Sequence, residues 1–278
     1  MSPLSLLRAL VTGSPSSEPR EPSRPRLVAR AAGRSTVGRR SQNEDRLVVR
    51  ADLGLFAVAD GMGGYEGGEI ASQAAVDALV ELYASHQADG DVTWPHVPDG
   101  ERSLAGKRAI VAVELAHRAV RARRKGELAQ MGTTVVLFTL EGSHLVVAHA
   151  GDSRAFLVRD GVLHRLTRDD SFLAELEARG GTTHEELSRM AAQFGHVVTK
   201  ALGHGERVTP TVRELEVRAG DVLMLSSDGL HGVLDEEELA HTLSMFAPED
   251  ATEILLARAI EEGSTDNVTC VAVRVEIG

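Results

Sequence analysis

Residues 133–166 read TTVVLFTLEGSHLVVAHAGDSRAFLVRDGVLHRL. Four β-rich runs lie in this stretch, at 133–140, 144–150, 154–159 and 162–166. Val, Leu, Phe and Thr dominate them, and short Gly-, Ser- and Asp-containing breaks separate them. Between the last two runs stands Asp160-Gly161, the pair that a tight two-residue hairpin turn demands. Strands that follow one another so closely pair as antiparallel hairpins.

The same logic extends outward. Residues 46–50 and 55–59 read as short strands about a turn at 52–54, and 211–217 and 221–226 as two more joined by a turn. A last strand is expected at 268–275. Helices are expected at 69–85, where Val76, Leu79, Val80 and Tyr83 share one face, and at 104–124. Further helices are read at 171–179, 184–192, 236–245 and 249–261. Helices thus come in clusters rather than after each strand. That predicts an antiparallel α+β domain with helices packed on sheets, not a doubly wound parallel fold. Residues 1–30 hold five of the nine prolines among Ser and Arg, and read as a disordered basic tail ahead of a domain at 31–277.

Composition limits the chemistry. Of 278 residues 42% are hydrophobic but only 3% aromatic, so the core must be aliphatic, and base stacking on single-stranded nucleic acid lacks its platforms. Residues 1–40 carry eight Arg against two Glu, while the remainder carries 22 Lys and Arg against 39 Asp and Glu. Such an acidic body repels nucleic acid and anionic lipid, and it offers the carboxylates that hard cations need. The basic cluster at Arg121, Arg123, Arg124 and Lys125 suits a helix C-terminus. The single cysteine, Cys270, lies in the 268–275 run and reads as a buried structural thiol. It excludes an internal disulfide framework and a cysteine metal cage, and it is compatible with a reducing cytoplasm. No run of about 18 apolar residues occurs, so no membrane insertion is expected.

Four segments place a carboxylate where a strand ends or turns beside glycine or asparagine: Asn43-Glu44-Asp45, Asp60-Gly61-Met62-Gly63-Gly64, Gly151-Asp152-Ser153-Arg154 and Ser227-Asp228-Gly229. A fifth, Thr265-Asp266-Asn267, precedes the last strand. Any one of them could be ordinary turn chemistry. As a set they could bring several carboxylates to one edge of a sheet. There they would repel one another unless cations neutralised them, and oxygen-only ligands favour Mg²⁺ or Mn²⁺. Two such ions could activate a shared water for in-line attack on phosphorus, with an arginine, Arg39 or Arg40, on the phosphoryl oxygens.

The ordered series Arg40-Ser-Gln-Asn-Glu-Asp45, Val58-Ala-Asp-Gly-Met-Gly-Gly64, Met131-Gly-Thr-Thr134, Gly151-Asp-Ser-Arg154, Leu166-Thr-Arg-Asp-Asp170, Ala201-Leu-Gly203, Ser227-Asp-Gly-Leu230 and Thr265-Asp-Asn-Val268 resembles the bacterial branch of the type 2C metal-dependent protein phosphatases. The resemblance implies a four-layer α-β-β-α sandwich of two mainly antiparallel sheets flanked by helices. It also implies hydrolysis of phosphoserine and phosphothreonine by a hydroxide bridging two Mn²⁺ or Mg²⁺ ions. Asp60 would bridge both ions. Asp228 and Asp266 would complete one ion's shell, and Glu44 and the Gly61 carbonyl would serve the other, partly through water. Asp152 would hold a third, weak ion, and Arg40 the substrate phosphate. Asp45 and Asn267 would orient ligands. Phosphorylated proteins would be the substrates, and a cytoplasmic serine/threonine kinase with its targets the opposing partner.

The chain departs from that pattern in places. Met62 stands where some members carry a histidine proposed as general acid, and a thioether cannot donate that proton. Gly232 stands where an aspartate often helps hold the third ion, and a tightly bound third ion is not expected. The flap-like stretch 179–200 lacks the usual His-Pro-x-Arg-Asn run, with His196 inside it, so substrate preference can differ. Gly132 is read as a close backbone approach, and Arg154 as the anchor of the Asp152 loop. Trp94 lies in the 87–100 loop. Two alternatives stay open: a module of this fold that binds phosphoprotein without turnover, and a metallohydrolase of small phosphate esters. Loss of Asp60, Asp228 or Asp266 would favour the first, and none is lost.

Overall fold

A computed structural model describes residues 26–278 apart from 65, 89–101, 182 and 196. Trp94, His196 and most of the expected tail therefore lie outside the described residues. The strands are β1 (Leu27–Thr36), β2 (Asp45–Arg50), β3 (Leu55–Met62), β4 (Gly132–Thr133), β5 (Val135–Glu141), β6 (His144–Ala150), β7 (Arg154–Arg159), β8 (Val162–Arg165), β9 (Thr211–Glu216), β10 (Val222–Ser226) and β11 (Val268–Ile277). The helices are α1 (Gly67–Ala88), α2 (Leu104–Arg123), α3 (Phe172–Arg179), α4 (His184–Phe194), α5 (Asp228–His231), α6 (Glu236–Met245) and α7 (Pro248–Glu261).

Two antiparallel sheets result. One runs β1-β11-β10-β7-β8, the other β2-β3-β5-β6-β9 with β4 attached to β3. Three apolar layers hold them. Phe56, Val58, Val136 and Phe138 of the second sheet meet Leu157, Leu223, Leu225 and Val273 of the first between the sheets. The alternate residues Leu55, Ala57 and Ala59 face the alanine-rich sides of α1 and α2. On the far side Met224, Cys270 and Ala272 face α6 and α7. The order is therefore helix, sheet, sheet, helix. Central strands covered on both faces read as continuous apolar runs rather than alternating ones. Cys270 is fully buried, as expected, and burial pushes its thiol up to about 12.

The Asp160-Gly161 turn has φ of 54° and 78°, the double left-handed conformation that fits the twist of β7 and β8. Two expectations need correction. A regular strand, β1, already begins at Leu27, inside the stretch expected to be tail, and pairs with the whole of β11. Furthermore β9 and β10 are joined by a turn but do not pair. β9 lies on β6 in one sheet, and β10 between β7 and β11 in the other. Asp221, 1% exposed, makes this crossing possible. Its carboxylate accepts from Arg159 (2.9 and 2.6 Å) and from the Arg218 N–H (2.8 Å), and its carbonyl accepts from Val275 N–H (2.9 Å). The cluster after α2 ties down neighbouring loops: Arg121 donates to the Glu206 carbonyl and Arg124 to those of Ala129 and Gly203. No helix among the described residues is long and apolar enough to cross a membrane.

Candidate metal centre

The five carboxylate segments meet at one end of the sandwich, and both sheets contribute. Asp45 at the start of β2 stands opposite Asp60 near the end of β3. Asp228 opens α5 directly after β10, Asp266 precedes β11, and Asp152 sits in the link by which the chain passes from β6 to β7, that is, from one sheet to the other.

The backbone under each is fixed by hydroxyls and amides. Asp60 N–H donates to Thr134 Oγ1 (3.1 Å), and its carbonyl accepts from Thr134 N–H (2.8 Å) and Thr133 Oγ1 (2.9 Å). The Thr134 hydroxyl also meets Ser153 Oγ at 2.7 Å, which connects the Asp60 strand to the Asp152 loop. Asp45 accepts from Ser227 Oγ at 2.7 Å, and Thr269 N–H donates to that same oxygen at 3.1 Å. Asn267 is a hub. Its amide donates to the carbonyls of Val37 and Gln42 (both 2.9 Å), and its side-chain oxygen accepts from Glu44 N–H (2.8 Å). Asp45 and Asn267 thus contact the loops that carry the other carboxylates.

Glycines allow these approaches. A Cβ on Gly61 would lie 2.6 Å from the Glu44 carbonyl, and one on Gly229 would overlap the Asn267 carbonyl. A Cβ on Gly132 would lie 2.6 Å from the His204 ring, the close approach expected there. Arg154 pairs with Asp169 (3.2 and 2.8 Å), while Gly151 N–H donates to Asp170 (3.2 Å), so the Asp152 loop is anchored from both sides. Lys200, at the exit of the flap-like segment, pairs with Asp170 at 2.7 Å.

Electrostatically the site is overloaded with negative charge. Burial, then Asp45, Asp228, Asp152 and Asp266, raise the Asp60 carboxyl well above the ordinary range. Burial followed by Asp228 and Asp169 pushes Asp152 up to about 7. Asp228 is raised by burial and Asp266, and Glu44 by burial, eased by the Gly68 N–H. Against this stand two guanidiniums, that of Arg154, which lowers Asp152, and that of Arg40. Arg40, exposed at the mouth, pairs with Asp266 at 2.7 Å. Arg39 is exposed.

The residues fit divalent cations. The donors are all hard oxygens, and Asp228 Oδ1 is buried with no hydrogen-bond partner. Among the described residues no three side chains already stand in a coordinating arrangement. Asp266 divides its carboxylate between Arg40 (2.7 Å) on one oxygen and the Asn267 N–H (2.8 Å) on the other. Met62 offers no proton, and His231, buried against Ser226 Oγ (2.9 Å), is driven well below its usual range by burial and is neutral. Sequence reasoning missed the positioning groups Thr134, Ser153 and Ser227. The Gly-Thr-Thr and Asp-Ser motifs were the available signal.

The chain matches the family described as Protein phosphatase 2C over residues 32–261. It is 36% identical over 250 residues to the serine/threonine protein phosphatase PstP of Mycobacterium tuberculosis, covering 90% of this chain. It spans only 45% of the length of that relative. It is 30% identical over 236 residues to the protein phosphatase PhpP of Streptococcus pneumoniae, covering 83% of this chain and 91% of PhpP. Its fold is similar to the crystal structure of the PstP catalytic domain in complex with two manganese ions, with a TM-score of 0.74, 36% identity, and coverage of 90% of this chain and 99% of that one.

Proposed function

The chain belongs to the protein phosphatase 2C family, and from that premise we propose that it is a metal-dependent hydrolase of phosphoserine and phosphothreonine in proteins. The observation that carries the proposal is the convergence of Asp60, Asp228, Asp266, Asp152 and Glu44 from two sheets, with a buried, unpartnered Asp228 oxygen among them. Uncompensated, such a set is repulsive. It makes physical sense as a cation site.

Asp60 would serve two ions at once; supporting this, Glu44 and the Gly61 carbonyl belong to the second sheet's edge, and Asp228 and Asp266 to the first. The ions, when bound, supply neutralising charge and the activation of a water. Mn²⁺ and Mg²⁺ both suit the donors. Asp152 can hold a third ion only weakly, because Gly232 supplies no carboxylate. Arg40 holds the phosphate in the mouth, its planar fork matching two phosphate oxygens. Asp45, held by Ser227, and Asn267, held by two carbonyls, keep the ligand loops in place. With Met62 inert and His231 neutral, the proton for the leaving serine or threonine oxygen comes from water in the site. Phosphoproteins, among them a serine/threonine kinase and its targets in the cytoplasm, are the proposed partners.

Hydrolysis of a phosphothreonine peptide with Mn²⁺, with Mg²⁺ and with chelator tests this, in the wild type and in Asp60→Ala and Asp228→Ala. Metal-dependent turnover that both substitutions abolish, with the fold retained, is expected. Peptide binding without hydrolysis by a folded, metal-loaded wild type would refute turnover and leave a binding module.

A further inference from the structure

Glu44 is held differently from the other carboxylates. Its backbone and side chain rest on the first two turns of α1. Ser72 Oγ donates to the Glu44 carbonyl at 2.5 Å, and the Gly68 N–H serves its carboxylate. Arg46, two residues on, completes the grip. Its Nη1 donates to the carbonyls of Asn43 (2.9 Å) and Asp45 (2.7 Å), the residues on either side of Glu44. Its Nε donates to Gln73 Oε1 (2.9 Å) and its Nη2 to Glu69 Oε1 (2.5 Å), both on α1. Residues 68, 69, 72 and 73 share one helical face, so a single face of α1 carries the whole segment. Asp228 and Asp266 receive nothing from α1. They hang on the ends of β10 and β11.

We propose that Arg46 is a positioning residue for Glu44, and that it sets the affinity of only one of the two ions. The inference rests on the metal-site reading above. A surface ion pair alone would be worth little. Here the guanidinium bridges two backbone carbonyls and two helix side chains with one rigid fork, which lysine, a single point donor, cannot reproduce. Without that bridge the 43–45 segment keeps its β2 pairing but loses its fixed distance from α1. Glu44 then spends less of its time where an ion needs it.

The test is a Mn²⁺ titration of the full chain by calorimetry, with bound ion counted by electron paramagnetic resonance, in the wild type, Arg46→Ala, Arg46→Lys and Glu69→Gln. The wild type should bind two ions. Arg46→Ala should weaken one of them by about 10- to 100-fold, the usual cost of losing a ligand's support, and leave the other nearly unchanged. The Mn²⁺ needed for half-maximal hydrolysis of p-nitrophenyl phosphate should rise by the same factor, with kcat at saturating Mn²⁺ preserved. Arg46→Lys should not restore the affinity, and Glu69→Gln should show a smaller version of the same split, since the carbonyl contacts remain. Should Arg46→Ala fail to fold, those two variants carry the test. Equal affinities in wild type and variants, or equal weakening of both ions together with a lower melting temperature in chelator, would overturn the proposal and make Arg46 a purely structural residue. A wild type that binds fewer than two Mn²⁺ ions would remove the two-ion reading itself, and this inference with it.

Discussion

With divalent ions stripped away, the buried carboxyl cluster should cost the protein stability as the pH rises from about 6.5 to about 8. An unfolded aspartate titrates near 3.8, whereas burial and its acidic neighbours hold Asp152 at about 7 and Asp60 higher than usual. Over this range these carboxyls hold more protons in the folded chain than in the unfolded one, and their contribution to the slope of stability against pH is negative. The buried histidines His117, His149 and His231 and the half-buried His204, all lowered chiefly by burial, act in the opposite sense. They still contribute in the lower half of this window, where the unfolded imidazole is partly protonated, so the carboxyls' share is read as a difference between wild type and Asp152→Asn. The Asp169 carboxyl is raised by burial but lowered further by Arg154 and Arg165. Its contribution is lost only under acid conditions outside the window. One carboxyl titrating at about 7 loses roughly 0.8 kcal/mol between those pH values by linkage, and Asp60 adds to it. Taken alone, for a domain of this size, that share lowers the melting temperature by about 2–4 °C. Urea or thermal unfolding followed by circular dichroism in chelator, and again in excess Mn²⁺, measures it. Both excess Mn²⁺ and, in chelator, Asp152→Asn should remove the carboxyl contribution and so shift the slope to more positive values. A slope indifferent to Mn²⁺ and to Asp152→Asn would refute the reasoning.

Asp60→Asn should abolish turnover yet raise the melting temperature of the chelated protein above neutral pH, because it removes the most strongly repelled charge in the cluster; thermal melts beside a phosphopeptide assay decide this. Gly68→Ala places a Cβ about 2.5 Å from Glu44 Cδ, and should weaken one Mn²⁺ by tenfold or more in a titration. The same Cβ lies 2.9 Å from the Gly61 backbone carbon, so a loss of about 1–3 kcal/mol of stability in chelator is expected beside it. Gly229→Ala forces a Cβ onto the Asn267 carbonyl, and should cost about 1–3 kcal/mol of stability in a urea melt, together with activity. Cys270 should resist thiol reagents in the native protein and react only on unfolding, which a timed labelling experiment would show.

Much of this architecture is legible in the residues, and where it is not, the cause is physical. Central strands such as β5 and β10 are covered on both faces and announce themselves as apolar runs. The Asp160-Gly161 turn declares a hairpin through its backbone alone. β1 does not announce itself: it is a sheet edge, half exposed along most of its length, and its Leu-Val-Ala-Arg-Ala-Ala-Gly-Arg-Ser-Thr has no strong alternation. Nor does local sequence say which sheet a strand joins. That is decided at 218–221 by the buried Asp221 and by Arg159, a partner 62 residues away. The carboxylates could be found because each sits beside glycine or asparagine at a strand end. Thr134, Ser153, Ser227 and Arg46 matter through partners remote in the chain, and hydroxyls and surface arginines leave no periodic trace.

The strand that closes the first sheet is the last in sequence, yet it lies inside that sheet, between β1 and β10. During synthesis β1 emerges ahead of the other described strands and waits for a partner more than two hundred residues behind it. At about 5–20 residues per second that wait is on the order of ten seconds or more. Asp266 and Asn267 arrive only with the same strand, so a nascent chain holds neither a finished sheet nor the full proposed site until β11 has left the ribosome. Catalytic competence and completion of the fold then begin together, and a chain truncated before β11 would be inert towards phosphoproteins and exposed to proteases.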